Sequence, residues 1–85
     1  MKIYKIDALG CVSCIIMEER IKKLKDKFSF ELEHYDYDYD KDIIEKYNIG
    51  KKMPVLIIFN NNIEIARTIG EKSEKELEDI IGDIK

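Results

Sequence analysis

The run "PVLIIF", Pro54 to Phe59, limits this chain more than any other stretch. Five successive apolar residues leave no polar face, so the segment reads as a strand covered on both sides rather than on one. A strand of that kind needs a layer of structure above and below it. In 85 residues those layers can only be a few short helices. Residues 1–85 are accordingly read as one domain with a single small core.

The remaining segments supply the parts. "KIYKIDA" is a short β-rich strand broken by Leu9 and Gly10. From Val12 the period changes: Met17, Ile21, Leu24 and Phe28 recur at helical spacing, with the charges of "EER" and "KK" on the other face. "FSFELEHYDYDYD" ends in strict alternation and reads as a second strand, with Tyr35, Tyr37 and Tyr39 on one side and Asp36, Asp38 and Asp40 on the other. Asp40 is placed to cap a short helix through Ile43, Ile44 and Tyr47. After "PVLIIF", the asparagines 60–62 turn the chain and "IEIARTI" returns as a hairpin arm ending at Gly70. Ser73 and Glu76 have the spacing of a capping box, and Leu77, Ile80, Ile81 and Ile84 form the stripe of a last helix. The expected class is α/β, in the order β-α-β-α-β-β-α, with a four-stranded mixed sheet and helices on both faces.

Charge narrows the partners. The net charge is −3 with acids and bases interleaved, so no basic stripe invites nucleic acid, and the acidic face beside the tyrosine row would repel phosphate. No apolar run approaches a membrane span or a signal-peptide core. A cytoplasmic location is expected, where a lasting structural disulfide is disfavoured. That matters because "GCVSC", Gly10 to Cys14, holds both cysteines. A lone pair with two residues between them, at a strand-to-helix turn, suits redox exchange or soft-metal binding. Zinc would want four ligands, and the chain offers two cysteines and one distant histidine, His34. His34 reads as a solvated ring at the start of a polar strand face, and Arg67, Lys51 and Lys52 as surface charges.

The element order, "CVSC" after the first strand, "KMP" at Lys52 to Pro54 and Gly70 after the hairpin together resemble the thioredoxin-like superfamily over essentially the whole chain. The resemblance implies a thiol–disulfide oxidoreductase without a bound cofactor or metal, acting as a monomer on a disulfide-containing protein. A flavoprotein reductase or glutathione would serve as its reductant. Cys11 would be the nucleophile, Cys14 the resolving thiol, Pro54 a cis-proline facing them, and Met53 and Gly70 the substrate-binding positions. Lys5 stands where many relatives bury an acid, which makes it the candidate modulator of the cysteines. It is read either as that or as a lysine reaching solvent from near a sheet edge. The Gly-Cys-x-x-Cys loop also resembles small copper-carrying domains. Those have a βαββαβ order and a methionine where Leu9 stands here, so a Cu(I) carrier is the alternative reading. A thioredoxin-like interaction module with idle thiols is a third.

Overall fold

A computed structural model describes residues 1–84. The elements are β1 (Lys2–Asp7), α1 (Val12–Lys27), β2 (Glu31–Asp36), α2 (Lys41–Lys46), β3 (Val55–Asn60), β4 (Ile63–Ile69) and α3 (Glu74–Ile84). The sheet order is β2-β1-β3-β4, with β1 and β2 parallel and the other two pairings antiparallel. This is the expected βαβαββα order, not the βαββαβ order of a copper-carrying domain.

β3 is buried from Val55 through Phe59, because it faces a different layer on each side. Leu56 and Ile58 join Ile3 of β1, Met17, Ile21 and Leu24 of α1, and Leu77 and Ile81 of α3 in one cluster. Val55, Ile57 and Phe59 join Ile6 and Ile49 in the other, against Ile43, Ile44 and Tyr47 around α2. Tyr4, Tyr47 and Phe59 pack ring against ring in this second layer, with centroids 4.7 to 5.7 Å apart. The two periods legible in the sequence, two along the strands and about 3.6 along α1, are therefore two views of the same pair of interfaces.

Local chemistry fixes the ends. Ser73 Oγ accepts from the Glu76 N–H at 3.1 Å while the Glu76 carboxylate accepts from the Ser73 N–H at 3.2 Å, a complete capping box for α3. The segment leading into α3 is fastened to α1: Arg20 donates to the Lys72 carbonyl at 2.7 Å, and the Lys72 N–H reaches Met17 Sδ at 3.4 Å. Asn61 and Asn62 take positive φ in the β3–β4 turn. One register shift, between Ile58 and Phe59, places a bulge in the β3–β4 ladder.

Three expectations change. The tyrosine row does not continue along the strand, because β2 stops at Asp36. There the Asp36 carboxylate accepts from the main-chain N–H groups of Asp38 and Tyr39, at 2.8 and 3.0 Å, and curls the chain into a turn. Asp40 does sit at the N-cap of α2, but its side chain makes no cap bond. Its carboxylate instead accepts from the Asp36 N–H at 2.7 Å and closes the same turn. Arg67 is also more than a surface charge: it donates to the Tyr47 carbonyl at 2.7 Å and to the Glu64 carboxylate, tying β4 to the end of α2.

The layered core sets a stability contrast. Ile21→Ala, in the fully buried seam between α1 and the sheet, should cost about 2–5 kcal/mol. Ile63→Ala, at a position 66% exposed, should stay within about 0.5 kcal/mol of the parent. Urea denaturation of the two variants beside the parent measures both.

Candidate functional site

The elements converge at the end of the sheet where β1 hands over to α1. Gly10 takes φ +74 in that turn, a conformation its missing Cβ leaves unstrained, and delivers Cys11 to the N-cap of α1. Cys11 is backbone-extended, and its sulfur accepts the N–H of Cys14 at 3.2 Å. The sulfur thus caps one of the four N–H groups that a helix start leaves unpaired. Cys14 lies one turn further in and is buried, whereas Cys11 is partly exposed. The two are disulfide-bonded, with Cα atoms 5.2 Å apart.

Met53, Pro54 and Gly70 reach the same end through the register. Val55 pairs with Ile6 on one side and Ile69 on the other, so Pro54, just before β3, and Gly70, just after β4, lie at the end of the sheet where β1 stops. The Gly70 N–H donates to the Pro54 carbonyl at 2.8 Å, and the Met53–Pro54 peptide is cis. Gly70 is buried at φ +84, and a Cβ there would stand 3.3 Å from the Lys52 side chain. That position therefore favours glycine chiefly on conformation, since the flexible end of Lys52 can give way.

Lys5 lies in an interior strand and is only 1% exposed, which removes the reading of a lysine escaping past a sheet edge. Its ammonium is held in place by ion pairs to Asp7 and Glu18 and by a hydrogen bond to the Cys14 carbonyl at 3.1 Å. A buried cation needs such partners. His34, opposite Lys5 in the β1–β2 register, reaches Glu18 at 2.9 Å. It is half-exposed yet part of this network, not simply solvated. Burial works against the charge on Glu18, but hydrogen bonds and charge from His34 and Lys5 outweigh it and hold the carboxyl below its ordinary value. Asp7, Glu18 and His34 bring one ligand atom each within 4.8 Å of one another, spacing that a metal ion could use. The cation their carboxylates hold is the Lys5 ammonium.

Glu18 is the residue that sequence reasoning missed. Its signal was present: it stands one helical turn after Cys14, on the same side of α1, and an interior lysine demands a carboxylate within reach.

The comparisons agree with the geometry. The family model described as Thioredoxin matches residues 3–83. Among solved structures, the reduced thioredoxin pre-protein of Schistosoma mansoni is 25% identical with a TM-score of 0.86, over 99% of this chain and 78% of that one. Thioredoxin 1 of Thermosipho africanus is 23% identical with a TM-score of 0.87, over 99% and 93%. A mutant thioredoxin of Halobacterium salinarum is 20% identical with a TM-score of 0.88, over 96% and 72%. No curated protein gives a significant sequence match.

The lowered Glu18 value carries a sign. A carboxyl held below its ordinary 4.5 stabilises the fold above that pH and loses the contribution as pH falls through the lowered value. Glu18→Gln should be less stable than the parent at pH 7. The gap should narrow as pH drops below 4.5, where the carboxyl of the unfolded chain protonates, and close as pH passes the lowered folded value. Denaturation midpoints of both proteins at pH 7 and pH 3 give the comparison.

Proposed function

We propose that this chain, which belongs to the thioredoxin family, exchanges disulfides with a protein substrate through the Cys11–Cys14 couple. One observation carries the reading: the Cys11 sulfur is itself the N-cap of α1, while its partner sulfur is buried one turn below. A helix N-terminus favours negative charge, so the partly exposed Cys11 is the sulfur best placed to react as a thiolate.

In the forward step, the Cys11 thiolate attacks one sulfur of the substrate disulfide. A Cys11–substrate disulfide forms, and the other substrate sulfur leaves as a thiolate that takes a proton from water. Cys14, deprotonated, then attacks the Cys11 sulfur. The internal disulfide closes, and the second substrate sulfur leaves with the remaining electron pair. Two electrons pass from the couple to the substrate, and no bound cofactor takes part. A flavoprotein reductase or glutathione returns them. Met53 and Pro54 would offer main chain to the substrate segment by short strand-like pairing, with Gly70 leaving room beside it. Lys5 donates to the carbonyl of Cys14, so the charge network of Lys5, Asp7 and Glu18 borders the resolving residue and is the candidate modulator of its thiol. A cytoplasmic setting, reducing enough to keep the couple turning over, suits this role.

Cys14→Ser keeps the attacking sulfur and removes the resolving one. Incubated with a disulfide-containing protein, it should accumulate a mixed disulfide that disappears on adding reductant, seen on non-reducing gels and by intact mass. Cys11→Ser should trap far less, because Cys14 is the shielded sulfur. Two folded variants that trap nothing would end the exchange reading.

A further inference from the structure

We propose that the groove beside the disulfide, between the β1–α1 turn and the first turns of α1, docks a partner segment in which an apolar side chain stands next to a lysine or arginine. This rests on the exchange reading and adds to it the substrate class. The groove, about 300 Å³, is separate from the Met53, Pro54 and Gly70 side of the site.

Its apolar part is unusual for a solvated surface. Leu9 is 76% exposed and Ile15 68%, and both line the groove next to Cys11 and Cys14, with Val12 exposed between them. Isolated exposed apolar residues are ordinary, but three within seven positions around a reactive sulfur mark a surface that something covers.

Charge says what kind of partner covers it. The groove lining holds one cation, Lys5, against three carboxylates, Asp7, Glu18 and Glu19. Lys5 is buried and already shared between Asp7 and Glu18, so it offers nothing to a newcomer. Glu19 is exposed and takes part in none of the ion pairs described above. The anionic rim also continues past the groove. Asp7 stands beside Asp36 in the strand register, and its carbonyl accepts the Tyr37 N–H at 2.8 Å. That contact brings in the turn bearing Asp38 and the exposed ring of Tyr39. A partner cation arriving here meets carboxylates and an aromatic face, whereas an acidic segment meets like charge. Lys51 and Lys52 precede Met53, and the Lys52 side chain lies beside Gly70, so the Met53, Pro54 and Gly70 side of the site carries cations instead. A segment with its basic end over α1 and β2 is favoured in that orientation and opposed in the other.

The test uses the reduced full chain in single-turnover exchange. Substrates are three peptides of equal length, each with one cysteine capped by 2-mercaptoethanol as a mixed disulfide. The cysteine is flanked by an apolar–basic, an apolar–acidic or an uncharged polar pair. Every rate is divided by the same protein's rate on 2-hydroxyethyl disulfide. The apolar–basic peptide should react about tenfold faster than the apolar–acidic one at low salt, and the ratio should shrink at high salt. Glu19→Lys should cut or invert that ratio, and Ile15→Ser should remove the advantage of apolar over polar flanks. Normal turnover of 2-hydroxyethyl disulfide with equal rates on all three peptides would overturn the docking proposal alone. So would a preference that both variants leave unchanged. Failure on 2-hydroxyethyl disulfide and every peptide would overturn the exchange reading, and the docking proposal with it.

Discussion

The placement of the site depends on one buried charge. Lys5 sits in β1 with strands on both sides, so its ammonium cannot reach bulk water and must be answered within the protein. The answers come from three directions: Asp7 two residues along the same strand, Glu18 from α1, and the carbonyl of Cys14. His34 then reaches Glu18 from β2. Those contacts fix how α1 lies over the sheet, and with it where the helix begins and where its first sulfur points. Removing one partner from such a group leaves the others with charge they cannot share, so the arrangement is set as a unit.

Around that charge the architecture is a matter of two interfaces meeting at β3. One of its faces packs on α1 and α3; the other packs on α2 and, through its own Phe59, on the rings of Tyr4 and Tyr47. Because the sheet ends together at the Cys11 end, the hydrogen bond from Gly70 to Pro54 and the bonds from α1 to Lys72 hold the loops around the disulfide to the same frame. The Cys11 sulfur is carried by a helix cap and surrounded by loops tied to strand ends, which is how a short chain holds a site rigid.

Much of this was legible in the sequence because periodicity reports burial. Met17, Ile21 and Leu24 are the buried stripe of α1, "PVLIIF" is the strand covered twice, and Ser73 with Glu76 closes its capping box. Legibility failed where local polar chemistry competed with the pattern. The alternation at Tyr35 to Asp40 has the period of a strand, yet the Asp36 and Asp40 carboxylates bind nearby main-chain N–H groups and turn the chain. It failed again where the partner is distant in sequence. The reach of Arg67 to Tyr47 does not follow from spacing, and the spacing of Glu18 from Cys14 points to Lys5 only once α1 is docked over an interior β1.

The bulge in the β3–β4 ladder has a consequence for the protein's behaviour in a crowded solution. β4 is an edge strand, and it exposes Ile63, Ile65 and Ile69. Straight, such a row of unpaired main-chain groups and isoleucines would be a template on which further chains could stack into fibrils. The register shift between Ile58 and Phe59 breaks the row near its middle and adds twist, and Arg67 folds across toward Tyr47 and Glu64. The irregularity is thus a guard against self-assembly, and smoothing β4 into a regular strand would remove it.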